Sequence, residues 1–147
     1  MTTKIQKSLL AGIAGTAVMT MVTFVAPMMG MPKMNPAEML SGMLGAPVIV
    51  GWVMHFMIGV IFAVSYNYFI AKQLAKISGL VVQGAVYGII IFVFAQVMMI
   101  VMGAIMGGMM APEGSKVLLM IGSLMGHIIF GIVVALVSKE KTSKRFA

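Results

Sequence analysis

The 147-residue chain contains no cysteine and no aspartate, its acids are Glu38, Glu113 and Glu140, and Arg145 is its single arginine. Without cysteine there can be no disulfide, thiolate metal site, cysteine nucleophile or thiol redox couple. Without aspartate there is no Ser-His-Asp set, and the three glutamates fall in connections or the tail, where they form no carboxylate pair within an apolar core. No glycine-rich loop ending in lysine is present to cradle a phosphate. The chain is therefore expected not to be an enzyme. Charge is scarce too: 9% of residues are charged and 61% hydrophobic, against roughly 25% charged in soluble domains.

The few charges leave long gaps. Between Lys7 and Lys33 lie 25 uncharged residues, between Glu38 and Lys72 33, between Lys76 and Glu113 36, and between Lys116 and Lys139 22. A bilayer-spanning helix takes about 20 residues, so each gap holds one span and none holds two. The expected fold is an all-α integral membrane protein, a single domain over residues 1–147. Its four transmembrane helices form an up-down bundle with spans at Leu9–Met29, Val48–Ile70, Gly79–Gly103 and Val117–Val137. The first apolar stretch is longer than a signal-peptide core and no small-x-small cleavage site follows it, so it is read as a span.

Alternate connections must share a side of the membrane. One side receives Lys4, Lys7, Lys72, Lys76, Lys139, Lys141, Lys144 and Arg145, the other only Lys33 and Lys116. The positive-inside bias puts both termini in the cytoplasm. In a soluble protein the net charge of +7 would suggest nucleic acid. Here it sets orientation, and no nucleic-acid partner is expected. Asn35-Pro36-Ala37-Glu38 reads as a helix start, with Met39, Leu40, Met43 and Leu44 sharing a face, which predicts a short interfacial helix over 36–44 on the outer surface. Ser115 is a candidate cap for the fourth span.

The second and fourth spans echo each other. His55, Gly59 and Ala63 have the spacing H-x3-G-x3-A, which His127, Gly131 and Ala135 repeat 72 residues later; Gly12 and Gly84 match at the same offset. The offset equals one helical hairpin with its connection, so two repeated hairpins are expected. Gly59, Gly131, Gly84 and Gly88 are the candidate helix-packing residues, because small residues four apart let membrane helices approach closely. Gly103-x3-Gly107 adds to the pattern.

The order of motifs is also familiar. Ala11-Gly12-Ile13-Ala14-Gly15-Thr16, Ala26-Pro27-Met28-Met29-Gly30-Met31-Pro32-Lys33-Met34, Gly51-Trp52-Val53-Met54-His55-Phe56, Gly84-Ala85-Val86-Tyr87-Gly88, Ala95-Gln96 and Gly126-His127 follow in sequence. Together they resemble a family of small four-helix bacterial membrane proteins known only as a domain of unknown function. In that family a proline follows the third-span glutamine, whereas here Val97-Met98-Met99-Ile100 has none, so the resemblance carries no kink over to this position. The resemblance implies four spans and a bacterial inner (cytoplasmic) membrane, and supplies no reaction.

His55 and His127 are the ionisable groups inside the expected spans, and intramembrane ionisable residues mark function by default. His55 lies seven residues past Val48 and His127 ten past Val117, so both sit about 10–15 Å below the outer boundary at 1.5 Å per residue. Gln96 and Thr23 fall at comparable depth, which makes a shared polar layer and a coupled histidine pair the expectation. The plainer reading is that each histidine bonds a neighbouring helix carbonyl or Gln96, that Thr16, Thr20 and Thr23 bond carbonyls of their own helix, and that Tyr66 and Tyr68 are interfacial anchors. Methionine is abundant, 19 residues, mostly on the outer half. Met98, Met102 and Met106 form a ladder, and Met28, Met31 and Met34 crowd the first outer connection. Thioethers select Cu(I), though methionine also serves as adaptable filler.

Three functions compete on these grounds. The first is an accessory or assembly module packing against partner membrane helices, in a homo-oligomer or a larger metal- or haem-containing respiratory complex. The second is a carrier of electrons through haem b held by His55 and His127. The third is Cu(I) binding or translocation through the methionine-rich layer.

Overall fold

A computed structural model describes residues 3–105 and 114–139. Helix α1 (Lys4–Val25) starts under a reciprocal cap: the Thr3 hydroxyl accepts from the Gln6 amide, and the Gln6 side chain accepts from the Thr3 amide. The cap carries the helix ahead of the apolar run that begins at Leu9. A 3-10 turn at Ala26–Met29 extends it, with Pro27 in its first positions. Helix α2 (Pro36–Leu44) is capped by Asn35, whose side-chain oxygen accepts from the Ala37 and Glu38 amides at 3.1 and 3.3 Å. Gly45 ends it at φ 60°, a left-handed conformation that costs glycine nothing. Helix α3 (Val48–Ser65) runs through a π-helical turn at Tyr66–Ile70 into the short α4 (Ala71–Leu74). Helices α5 (Leu80–Ile105) and α6 (Lys116–Ser138) complete the order. Ser115 occupies the α6 cap position, but its side chain makes no capping bond.

The described residues are all helix and connection, without a strand. Four stretches, Lys4–Met29, Val48–Leu74, Leu80–Ile105 and Lys116–Ser138, are long and apolar enough to cross a bilayer. Two of them reach further into polar sequence than hydropathy alone predicts, because caps and the π turn decide where backbone hydrogen bonding stops.

Packing follows the small residues. Helix α1 buries Ser8, Ala11, Gly12, Gly15, Thr16, Met19, Thr20 and Thr23, all on one helical face, and exposes Leu9, Leu10, Ile13, Met21 and Phe24. Small residues inside and large apolar ones outside is the arrangement of helices that meet lipid. Helix α1 packs on both α3 and α6, and α6 packs on both α1 and α5, so the four long helices stand in the order α3, α1, α6, α5. Along α1 and α3 the register runs from Ser8 with Asn67, through Gly12 with Gly59 and Val60, to Thr20 with His55 and Phe24 with Trp52. Residue numbers rise on one helix as they fall on the other, so the pair is antiparallel.

The glycines mark where backbones touch. A β-carbon at Gly12 would stand 2.5 Å from Val60 Cα, and one at Gly84 2.5 Å from Ile132 Cα. Gly59 receives the Thr16 hydroxyl, Gly88 lies on the His127 carbonyl, and Gly131 lies on the Gly84 carbonyl. Helix α2 crosses one end of the row, seated on α3 where Gly51 meets the Ala37 carbonyl. The opposite end carries a core that includes Ala63, Tyr66, Tyr87, Val134 and Ala135. Tyr66 is therefore not an interfacial anchor. It is 2% exposed, its ring centroid 4.9 Å from that of Tyr87. Tyr68 does stand at the rim, with the Lys4 ammonium 4.8 Å from its ring centre.

Candidate functional site

The row of helices curls but does not close. Between α1 and α6, Gly15 and Gly126 remove the side chains that would hold the helices apart: β-carbons there would meet Phe130 and Val134 in one case and Met19 in the other. Helices α3 and α5, at the two ends of the row, do not pack in this way. They meet through aromatic side chains near the Tyr66 end, where Tyr87 donates to the Phe62 carbonyl at 2.6 Å and the Phe62 and Phe94 rings meet edge-to-face at 5.8 Å. Above that seal the helices enclose a cleft of about 470 Å³, with the Pro36, Met39, Leu40 and Met43 side of α2 as its cover. Its volume falls within the range of about 300–1,000 Å³ common for small-molecule sites.

Both histidines line this cleft, as do Thr23 and Gln96. The structure brings all four to one cavity but bonds them differently from the plain expectation. His55 Nε2 lies 3.3 Å from the Thr20 hydroxyl on α1, so that hydroxyl reaches across to α3 and not to a carbonyl of its own helix. His127 Nδ1 lies 2.7 Å from the Ser123 carbonyl, one turn back in α6. A carbonyl only accepts, so His127 Nδ1 carries the proton, and in the neutral ring Nε2 keeps a lone pair. Histidines that bind metals are oriented in this manner by a carbonyl behind them. Thr23 does bond its own helix, donating to the Thr20 carbonyl at 2.8 Å. Thr16 is buried with no hydrogen-bond partner for its hydroxyl among the described residues, and it too lines the cleft. Gln96 makes none of the side-chain hydrogen bonds among the described residues.

The methionines redistribute. Among the described residues, Met34 is the one member of the expected ligand set that lines the cleft, where it is joined by Met19, Met39, Met43, Met99 and Met120. Met31 and Met34 both flank Gly122 on α6. Met28 is 85% exposed and Met98 41% exposed, and neither these nor Met102 lines the cleft. Met106 lies outside the described residues. The reason is helical phase: the cleft face of α5 is Ile91, Ala95, Gln96 and Met99, and Met98 is turned about 100° from Met99 at 3.6 residues per turn. Four-residue spacing identified a stripe on α5 but not the stripe that faces the cavity.

Sequence reasoning missed Tyr87, Thr20 and Ser123. The offset of 72 residues contained the signal for Tyr87, since it pairs Tyr87 with Gly15 and Phe62 with Val134. Gly15 with Val134 closes one helix seam, and Tyr87 with Phe62 stands in the other. Thr20 and Ser123 had no comparable signal, because which hydroxyl meets an imidazole depends on helix rotation.

The described residues define a class: all-helical, with four apolar helices long enough to span a bilayer and a histidine-lined cleft between the first and last of the row. A sequence profile of a family of unknown function, DUF6789, matches residues 2–145, and the chain belongs to that family. No curated protein and no solved structure matches it.

Proposed function

We propose that this chain is a non-enzymatic, multi-pass protein of the bacterial inner membrane, built from two repeated hairpins as an up-down bundle with both termini cytoplasmic. It acts as an accessory module that packs against partner helices of a metal- or haem-containing complex and offers the cleft as its binding site. One observation carries this reading: among the described residues, the Thr16 hydroxyl, the Gln96 amide and His127 Nε2 are without protein partners around a single apolar cavity. In a membrane interior each unmatched polar group costs several kcal/mol, so such groups are kept for a partner or ligand. The antiparallel contacts and the gathering of Lys4, Lys7, Lys72 and Lys139 at one end support the up-down arrangement and the orientation. Purification in mild detergent after crosslinking tests the module. A co-purifying membrane protein or a defined oligomer is the expected result, and a bare monomer would count against it. Cysteines introduced at Ser115 and Ser143 test orientation, with labelling by an impermeant reagent from outside expected at Ser115 only.

The cleft also favours one second reading, a Cu(I) site. His127 Nε2 and the thioethers of Met34, Met99 and Met120 belong to residues that line one cavity, and soft ligands of this kind select Cu(I). Metal analysis after Cu(I) loading should show a loss in His127→Phe and Met99→Leu, with Met98→Leu unchanged. Haem b would require His55 to give up its Thr20 partner before both Nε2 atoms served as axial ligands. A Soret band after expression with ample haem would support it over Cu(I).

A further inference from the structure

The end of the molecule away from α2 carries a second depression, of about 440 Å³, and its chemistry is unlike that of the cleft. Lys4 and Lys7 from α1, Lys72 from α4 and Lys139 after α6 all line it. Among the described residues the one acid is Glu38, which belongs to α2 at the far end, so none of them brings a carboxylate to this site. Four like charges drawn to one cavity repel one another unless something negative sits between them. A second observation points the same way. Ser138 lines the depression, is 9% exposed, and its hydroxyl has no hydrogen-bond partner among the described residues. The neighbouring amides are already engaged: Asn67 Nδ2 donates to Ser8 Oγ at 2.9 Å, and Gln83 Nε2 donates to the Ile77 carbonyl at 2.8 Å. The Ser138 hydroxyl is thus a donor without an acceptor in a depression that four lysines line.

We propose that this depression binds a phosphate group, with Lys4, Lys7, Lys72 and Lys139 supplying the charge and Ser138 a hydrogen bond. The phosphate is the head of an anionic phospholipid or a free phosphate ion. Basic pockets between helix ends hold lipid phosphates in this way, and serine hydroxyls are ordinary phosphate donors. The site is independent of whatever occupies the cleft, since the Tyr66–Tyr87 core lies between them.

The test uses the full chain in mild detergent, offered equal amounts of phosphatidylglycerol and phosphatidylcholine, with bound lipid counted by native mass spectrometry. Wild type should retain phosphatidylglycerol. The Lys7→Gln/Lys72→Gln variant should lose it by roughly thirtyfold, the worth of two lysines near an anionic surface. Ser138→Ala leaves every charge in place and should still weaken retention roughly tenfold, as expected for one hydrogen bond to a charged group. Lys33→Gln/Lys116→Gln, at the opposite end, should change nothing. Competition with millimolar inorganic phosphate separates the two sources: displacement of the lipid assigns a free phosphate, and resistance assigns a lipid head. Equal losses in the two lysine pairs would overturn the site. So would Ser138→Ala matching wild type, or lipid and phosphate both binding no better than to Lys7→Gln/Lys72→Gln.

Discussion

The seam between α1 and α6 and the seam between α3 and α5 are equivalent at an offset of 72 residues, yet one is closed and the other is a cleft. On the closed side, Gly15 lets Phe130 and Val134 of α6 come down onto the α1 backbone. At the equivalent place on the open side stands Tyr87, its ring against Tyr66 and its hydroxyl on the Phe62 carbonyl. Within each hairpin, by contrast, the two halves agree closely, since Gly12 meets Val60 as Gly84 meets Ile132. The two hairpins thus make the same close approach, and the difference between them lies at the joints between hairpins. A glycine at a joint makes a seam; an aromatic residue there makes a wall with a cavity above it.

Breaking a hairpin should have the largest effect. A side chain at Gly88 runs into the His127 carbonyl, and backbone cannot move aside as a flexible side chain can. Gly88→Leu should cost at least about 3 kcal/mol by overpacking, measured as a shift in detergent unfolding. Gly42→Ala is the matched control: nothing lies within 4 Å of a β-carbon there, so it should be neutral or stabilising.

The open seam should respond next. Tyr87→Ala removes a buried ring and should cost about 3 kcal/mol, whereas Tyr87→Phe keeps the ring and loses one interhelical hydrogen bond, about 0.6 kcal/mol. Near-equal losses in the two variants would mean that the bond to Phe62, and not the ring, sets the distance between α3 and α5. A smaller effect belongs to the cover. Gly51→Ala would press on the Ala37 carbonyl and should cost about 1–2 kcal/mol while raising thiol labelling of a cysteine placed at Met43. Unchanged labelling would show that α2 is held by something other than that contact.

The histidines should give the smallest changes and sharpen the comparison most. His55 is tied across to α1 and His127 within α6, so the empty protein offers them no shared bond. His55→Phe should cost about 0.6 kcal/mol, His127→Phe less because it also removes the unmatched Nε2, and the two should add within about 0.5 kcal/mol. The coupling expected from their equal depth should appear only with the cleft occupied. Non-additivity in the ligand-free protein would show that the two rings already act on each other.

Much of this architecture is legible in the sequence. The short helix expected over 36–44 forms at Pro36–Leu44, because Asn35, Pro36 and Gly45 are local signals that act over one turn. The glycines at 59, 84, 88 and 131 stand out by their spacing, and all four lie against a neighbouring helix. Which methionines face the cleft is not legible in the same way. Met98 and Met99 are adjacent in sequence and identical in chemistry, and only the rotation of α5 about its axis decides which one reaches the cleft.

Sequence alone determined the scale and number of the long helices, because twenty apolar residues without charge have few other places to go, and the amide hydrogen bonds they need are all internal to a helix. It also determined which faces can approach closely, since the absence of a β-carbon is a property of the residue itself. Tertiary structure decided that α3 and α5 stay apart, that His127 turns back to the Ser123 carbonyl while His55 reaches Thr20, and that four lysines far apart in the chain gather around Ser138. Each of these depends on helix rotation and on which helices are neighbours. Those are set by the sum of many weak contacts between segments distant in sequence, and no single stretch of the chain carries that sum.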